Sequence, residues 1–391
     1  MDGGEGSSVR GVRLLDDREL SGMRSDLTEV VEYRKSGLSL NWIVGCPLDC
    51  GYCVRHLFGN FGMKVPRAVV SDEAAVGLLT GHGSFVPDVT PVQLLNRATD
   101  PMLPVVKPHL FAVLRALDVL GLTNHVLVIT RWRVGPEDCA VLNSLRHLKV
   151  TVLVTWSGID DDRVEPVDSG VAETSLKTLF AHARRYRVVH YWRPVVPGLN
   201  DSEVHLARGA ELGRFAHATV FTGLFFRDEI RDYYRAHGLP EPYGEVARRK
   251  IMPEDLEARV LGAVAAGPGD AAAVFRKTSC AVAYAHGLPD YNGHYGVREL
   301  CDICPVAQLD RCAGVWRRPD PDVAAGLVEA AGGRLVEVGD RAVVVEGLDE
   351  QARYPIQHRL GFQVHDAARP HHRRRHGRAD LGWPSAARSA S

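Results

Sequence analysis

Six short apolar runs, separated by longer segments with helical periodicity, are the feature that most constrains the fold of this chain. Runs of this length with little polar alternation indicate strands that are buried on both faces. The segments between them predict crossover helices, so the alternation predicts an α/β fold with a parallel sheet. Six units suit an open, partial (β/α)6 barrel of the TIM type, in which ligands bind at the carboxyl ends of the strands. The predicted strands are residues 38–45, 92–96, 125–131, 150–157, 188–195 and 219–225, and the predicted helices are residues 107–120, 137–146, 173–185 and 201–214.

The composition of the remaining segments predicts the domain organisation. Both ends are rich in small and charged residues, which favours flexible segments. An Ala-rich helix and a hairpin around Gly339-Asp340 predict a small α+β appendage near the C-terminus. The predicted units are a flexible N-terminus at 1–30, the partial barrel at 31–235, a helical connection at 236–279, a cysteine-rich metal-binding segment at 280–316, the appendage at 317–366 and a disordered basic tail at 367–391.

Charge and hydropathy limit the classes of partner and location. No stretch approaches the roughly 18 apolar residues of a membrane helix, and the first residues lack the apolar core of a signal peptide. We therefore expect a cytoplasmic protein that does not engage a membrane. The net charge of -1 gives no broad positive field, which argues against duplex DNA as a partner.

Cys46, Cys50 and Cys53 form the first of two cysteine groups, in a loop that directly follows the first predicted strand. Clustered cysteines in a reducing compartment indicate a metal site instead of disulfides. Three thiolates can hold a [4Fe–4S] cluster and leave its fourth iron open to another ligand. A zinc loop is the alternative, and it would need a fourth ligand such as His56.

The C-x3-C-x2-C spacing, with Tyr52 just before the last cysteine, resembles the signature of the radical S-adenosylmethionine (SAM) superfamily. This resemblance implies that SAM binds the open iron and that its reductive cleavage yields a 5′-deoxyadenosyl radical. It also implies an enzyme supplied with electrons by a reducing partner such as flavodoxin or ferredoxin.

The same resemblance implies further SAM-binding residues at the ends of later strands. The loop with Asn96, Thr99 and Asp100-Pro101 looks like the corresponding loop of the spore photoproduct lyase-like branch. Ser157 and Arg193 occupy positions that commonly contact the ribose or the carboxylate of SAM. The predicted cofactor-binding residues are Tyr52, Asn96, Thr99, Ser157 and Arg193. For Asp100 a helix-capping role is an equal alternative, and for Arg193 a structural salt bridge.

The second group has four cysteines, Cys280, Cys301, Cys304 and Cys312. Four thiolates can form a closed zinc site or ligate a second, auxiliary [4Fe–4S] cluster. We favour the cluster, with His286 or His294 as possible replacement ligands. The intervening residues 290–295 could face the barrel mouth, or they could form an Asn292-Gly293 turn with tyrosine rings over the cluster. Cys139 stands alone and is predicted to be a buried structural thiol.

These features predict a radical SAM enzyme that acts on a small-molecule, nucleoside or peptide substrate. Tailoring of a natural product, or sulfur insertion aided by the auxiliary cluster, fits this prediction. One alternative is a spore photoproduct lyase-like enzyme of nucleic-acid repair. Another is a non-catalytic iron–sulfur or zinc protein that binds nucleic acid.

Overall fold

The fold was analysed in a computed structural model, which describes residues 8–9, 11–246, 250–368, 375–376 and 379–380. Within these ranges, none of the helices combines the length and the apolar character that crossing a membrane requires. Most of the predicted basic tail at 367–391 lies outside the described residues.

The strands are numbered here in chain order. They are β1 (Ser8–Val9), β2 (Val12–Arg13), β3 (Val31–Arg34), β4 (Gly37–Leu40), β5 (Ile43–Val44), β6 (Arg67–Ala68), β7 (Val92–Leu94), β8 (His125–Thr130), β9 (Lys149–Trp156), β10 (Arg187–Val195), β11 (Ala218–Phe225), β12 (Lys250–Ile251), β13 (Val274–Phe275), β14 (Arg334–Val338), β15 (Ala342–Glu346), β16 (Gln363–Asp366), β17 (Arg375–His376) and β18 (Ala379–Asp380).

The helices follow the same order. They are α1 (Asp17–Ser21), α2 (Ser25–Thr28), α3 (Asp72–Thr80), α4 (Lys107–Val119), α5 (Pro136–Ser144), α6 (Ser169–His182), α7 (Glu203–Leu212), α8 (Asp228–Ala236), α9 (Glu254–Ala266), α10 (Thr278–Ala285), α11 (Arg298–Cys301), α12 (Val306–Val315), α13 (Pro321–Ala330) and α14 (Glu350–Leu360).

A central sheet in the order β12-β11-β10-β9-β8-β7-β4-β3 organises the molecule. Its six inner strands, from β4 to β11 along this order, run parallel, while β3 and β12 add antiparallel edges. The predicted α/β class with a parallel-dominated sheet is therefore confirmed. The helices α4, α5, α6 and α7 are the predicted crossovers, with ends that shift by a few residues.

The first predicted strand, at 38–45, is divided in the structure. Strand β4 ends at Leu40, and β5 pairs antiparallel with β6 outside the central sheet. The Asn41 amide lies between them, with its nitrogen bonded to Ser39 and its oxygen to the backbone of Arg97. One continuous apolar run therefore forms two strands that belong to different sheets. Hydrophobic periodicity does not predict such a change of pairing partner.

The two faces of the sheet are covered by different parts of the chain. Val126, Val152 and Val188 belong to the main core together with apolar residues of α4 and α6. On the other face, Leu153 and Val189 pack against Ala281 and Val282 of α10. The cysteine-rich segment thus begins with a helix that lies directly on the sheet.

The C-terminal unit has its own core beneath a small sheet. Strand β15 pairs antiparallel with β14 and parallel with β16, so α14 is the crossover between two parallel strands. Val343, Val345, Phe362 and Val364 are buried here. The predicted α+β segment thus has a helix and a third strand beyond its predicted hairpin.

The predicted flexible N-terminus contains short elements within the described residues. Strand β2 and helices α1 and α2 lie between residues 12 and 28. Asp16 caps α1 by accepting a hydrogen bond from the Glu19 backbone at 2.8 Å. The capping box is a local signal that the charge-rich composition of this segment obscured.

Candidate functional site

The three-cysteine loop begins directly after β5, at the carboxyl end of the first parallel strand. Gly45 has a positive φ of 96°, and a Cβ there would lie 2.4 Å from the backbone oxygen of Val65. Only glycine allows this approach. The Cys46 backbone then donates to the Met63 oxygen at 2.8 Å. The loop is therefore fixed against residues 63–65 at its first cysteine.

Arg55 fixes the other end of the loop. Its guanidinium is buried and donates to the backbone oxygens of Leu48, Asn60, Phe61 and Met63 at 2.8 to 3.2 Å. The positive charge is thus satisfied by carbonyl groups on both sides of the cysteine loop, which holds the loop in one shape.

The three thiols are close enough to interact electrostatically. Burial raises the pKa of Cys50 well above its usual range, and the charges of Cys53 and Cys46 raise it further, while Arg131 opposes the shift. Burial also raises the pKa of Cys46. A buried group of thiols of this kind requires a cation to become a set of thiolates, so the loop fits a metal cluster.

A buried polar network lies beside Cys50. The Tyr52 hydroxyl donates to Glu165 and accepts from Arg131, and the Arg131–Glu165 ion pair spans 3.0 Å. Ser157 donates to the same carboxylate at 3.0 Å. Two predicted site residues, Tyr52 and Ser157, are therefore brought together, and Glu165 is the group that joins them.

The loop after β7 adjoins the cysteine loop at Cys46, where a hydrogen bond from the backbone of Asp100 partly offsets the rise in pKa that burial causes. The Asp100 carboxylate accepts from Thr130 at 2.7 Å and from the Arg131 backbone at 2.9 Å. It therefore ties β7 to β8, a role beyond the capping of a helix. Burial raises the pKa of this carboxyl group.

Thr99 and Asn96 differ in their use of polar atoms. The Thr99 hydroxyl is buried and has no hydrogen-bond partner among the described residues. The Asn96 side chain accepts from Ser39 and donates to Gln93 at 3.2 Å. The buried Thr99 hydroxyl could therefore form a hydrogen bond with a bound cofactor. The Asn96 amide already forms hydrogen bonds with two residues of the central sheet.

Arg193 lies near the carboxyl end of β10 and bonds to a residue of the same strand. Its Nη1 donates to the Tyr191 hydroxyl at 2.8 Å, and its guanidinium lies over the Tyr191 ring at 4.4 Å from the centroid. The Tyr191 hydroxyl is 3.1 Å from Thr278 Oγ1, at the start of α10. Arg193 therefore connects the strand ends to the helix that carries Cys280.

Arg131 is the residue of this site that the sequence analysis missed. It follows β8 directly, and its position after an apolar run of a parallel sheet is the signal that identifies such residues. Reading it as the last strand residue concealed its role. Glu165, a loop carboxylate by sequence, is buried because its loop brings it to Tyr52, Arg131 and Ser157.

The four C-terminal cysteines line one cavity, together with Asp290, His294 and Gln308. Cys280 lies on α10, Cys301 ends α11, and Cys312 lies on α12. The Cys312 sulfur accepts from the Asp290 backbone at 3.4 Å and from the Gln308 amide at 3.5 Å. Hydrogen bonds from N–H groups are the usual surroundings of a metal-bound thiolate.

The electrostatics of this cavity also fit a metal. Burial raises the pKa of Cys280 well above its usual range, and the charges of Asp290, Cys301, Cys304 and Cys312 raise it further. Burial raises the pKa of Cys304 to about 12. Thiols in so negative a setting stay protonated unless a cation is bound.

The spacing of donor atoms identifies one compact group in this cavity. Within the described part of the chain, the single group of three metal-donor residues mutually within 4.8 Å is Cys280, Asp290 and His294. The closely spaced donors here are therefore one thiol, one carboxylate and one imidazole.

The loop between α10 and α11 does not form a free turn. The Asn292 side chain accepts from Gln357 at 2.8 Å and lies 2.7 Å from His358 Nε2, both on α14. His286 instead bonds to Thr151 at 2.9 Å, on the sheet. Of the two predicted replacement ligands, only His294 lies in the cavity. Cys139 is fully buried on α5, away from both groups.

Comparisons with known proteins complete the description of the site. No protein-family model matches the chain, and no curated protein matches it. The chain is similar to spore photoproduct lyase complexed with dinucleoside spore photoproduct, with 13% identity, a TM-score of 0.48, and coverage of 68% of this chain and 87% of that chain. It is also similar to Streptococcus suis SuiB bound to S-adenosylmethionine, with 11% identity, a TM-score of 0.37, and coverage of 58% of this chain and 46% of that chain.

Proposed function

We propose that this chain is a radical SAM enzyme that acts on a small-molecule, nucleoside or peptide substrate. The observation that carries the proposal is the convergence of three cysteine thiols, two of them buried, with the loops after β7, β8 and β9. The bound cluster and SAM would supply reductive cleavage of the sulfonium to a 5′-deoxyadenosyl radical.

The residues of this chain would hold and orient the cofactors. Cys46, Cys50 and Cys53 would bind three irons, and Arg55 and Gly45 would keep their loop in shape. Thr99 and Arg193 are the best-supported SAM contacts, since the Thr99 hydroxyl is open and the partly exposed Arg193 uses one of its five N–H donors on Tyr191. Tyr52, Ser157 and Asn96 are committed to internal bonds, which supports a role in positioning the neighbouring loops.

We assign the second cavity to an auxiliary [4Fe–4S] cluster held by the four C-terminal cysteines. The four cysteine thiols that line this one cavity match the four ligands of a [4Fe–4S] cluster. Because α10 packs on the sheet and Thr278 bonds to Tyr191, this site lies on the same face of the sheet that Arg193 approaches. A supporting role in electron transfer, substrate binding or sulfur donation would follow from that position.

The test is anaerobic reconstitution followed by metal analysis and SAM cleavage. We expect about eight irons per chain, and release of 5′-deoxyadenosine on incubation with dithionite and SAM. Replacing Cys46, Cys50 and Cys53 by Ala should abolish that product, while Cys139→Ala should retain it. Replacing Cys301 and Cys304 by Ala should leave SAM cleavage measurable. Iron-replete protein that releases no 5′-deoxyadenosine would contradict the proposal.

A further inference from the structure

The second cavity contains two kinds of donor group, and this asymmetry bears on how a cluster would be held there. Cys301, Cys304 and Cys312 come from one continuous segment between α11 and α12. The fourth cysteine, Cys280, comes from α10 and is accompanied by Asp290 and His294. A cubane presents four irons, so three of them match the first segment and one remains for the second.

The Cys280 corner offers three different donors to one position. The thiol of Cys280, a carboxylate oxygen of Asp290 and a ring nitrogen of His294 all lie within 4.8 Å of one another. Thiolate, carboxylate and imidazole are all competent ligands for iron. One iron cannot retain all three and still bond to the sulfides of a cubane, so the donors compete.

The Asp290–His294 pair holds the imidazole beside Cys280. His294 Nδ1 lies 3.0 Å from the Asp290 carboxylate, which also accepts from the His294 backbone at 3.0 Å. The side chains of Asp290 and His294 are only 3% and 2% exposed. The Cys280 sulfur lies 3.9 Å from the same Nδ1. Because a metal-bound histidine binds through the nitrogen that its carboxylate does not hold, His294 reaches the position of Cys280 by releasing Asp290 or by turning its ring.

We propose that Cys301, Cys304 and Cys312 hold three irons of the second cluster, and that the fourth iron takes either Cys280 or the neighbouring His294 as its protein ligand. This inference rests on the auxiliary cluster proposed above. It makes the fourth iron the exchangeable one, where a substrate bearing a thiolate, carboxylate or nitrogen donor can bind once a protein ligand leaves.

The experiment compares single cysteine variants in a chain whose first site is removed by replacing Cys46, Cys50 and Cys53 with Ala, so that only second-site iron is counted. In this background we expect Cys280→Ala to retain close to four irons per chain. Cys301→Ala, the matched control from the continuous segment, should lose most of its iron. With ¹⁵N-histidine labelling, pulsed EPR of the reduced Cys280→Ala protein should show a strongly coupled nitrogen that Cys280→Ala/His294→Gln lacks.

Equal loss of iron from Cys280→Ala and Cys301→Ala, with folding shown intact by circular dichroism, would overturn the inference and leave four equivalent cysteines. Retention of iron without the histidine coupling would overturn the role of His294. Zinc in the parent background would overturn the auxiliary cluster itself, whereas release of 5′-deoxyadenosine by the unmodified chain would still support the radical SAM assignment.

Discussion

At the residue scale, Arg131 is a largely buried positive charge that influences the pKa of the cysteine loop. It pairs with Glu165, donates to Tyr52 and opposes the burial-induced rise in the pKa of Cys50. The two partners are 15% and 5% exposed at their side chains, so little solvent screens the pair. Removing one partner leaves the other charge buried without compensation.

We therefore expect Arg131→Met to lower the free energy of unfolding by about 3 kcal/mol in urea titrations. Arg131→Met/Glu165→Gln should recover part of that loss, because it removes the stranded charge. The control is Arg163→Met, which breaks a more exposed pair with Asp161 and should change stability by less than about 1 kcal/mol. Equal losses in the two single variants would show that burial of the pair is unimportant.

His190 allows a pH prediction from a side chain outside both cysteine groups. It is fully buried between Trp156 and Trp192, and neither ring nitrogen has a hydrogen-bond partner in the described part of the chain. Burial lowers its pKa from 6.5 to about 3. The folded protein thus keeps this ring neutral at a pH where the unfolded chain binds a proton.

The stability due to neutral His190 is fully present above pH 6.5 and is lost as the pH falls toward 3. Relative to His190→Phe, the unmodified protein should lose about 2 kcal/mol of unfolding free energy between pH 7 and pH 5. Anaerobic urea titrations of both proteins at pH 7, 6 and 5 measure this difference. Parallel pH profiles would mean that the folded protein protonates the ring as readily as the unfolded chain does.

The residue scale also shows what sequence patterns can and cannot identify. Spacing predicted that Cys301, Cys304 and Cys312 lie near one another, because short loops keep sequence neighbours close in space, and the structure places them in one cavity with the more distant Cys280. Arg131 and Glu165 are 34 positions apart and meet only because two parallel strands end at the same edge. Their pairing depends on strand order, which the composition of a single strand does not contain.

At the scale of elements, the sequence predicted the inner parallel strands of the central sheet but not the short strands that pair with them. The predicted strand at 188–195 is β10 with one added residue, since a long apolar run is sufficient for a central strand. The strands β3, β12 and β13 were not predicted. They are short, and pairing with a strand of the central sheet stabilises them more than their own composition does.

The contact between the cysteine-rich segment and α14 supplies a test at this scale. Gly293 has a φ of 65°, and a Cβ there would lie 2.5 Å from the backbone of Gly361 and Phe362. Gly287 has a similar φ of 68° but faces open space. Alanine at either position incurs the strain of a left-handed backbone, and only at Gly293 does it also force two segments apart.

We expect Gly293→Ala to lower the free energy of unfolding by about 2 kcal/mol more than Gly287→Ala. It should also lower the iron content of the second site, because Asn292 and His294 flank the displaced residue. Urea titration and iron analysis in the background lacking the first site provide the two measurements. Similar stabilities for the two variants would show that the segments separate without cost.

At the scale of the whole molecule, the cysteine-rich segment contacts both the central sheet and the C-terminal unit. The helix α10 packs on the central sheet, Asn292 bonds to α14, and Tyr33 of the edge strand β3 lies 2.8 Å from His358. The C-terminal unit is thus attached to the sheet through buried polar contacts. Such contacts stabilise one arrangement only while every partner is in place.

Loss of metal from the second site should therefore loosen distant segments selectively. With Cys301 and Cys304 replaced by Ala, we expect faster hydrogen–deuterium exchange in residues 280–312 and in α14, which share the Asn292 contacts. Strands β8 and β9 should keep their protection, because their hydrogen bonds lie within the central sheet and their opposite face is packed by α4 and α6. Replacing Cys139 by Ala, within α5, controls for the loss of a buried thiol. Uniformly faster exchange would indicate global destabilisation, whereas a change confined to residues 280–312 would mean that the C-terminal unit is held independently of the metal.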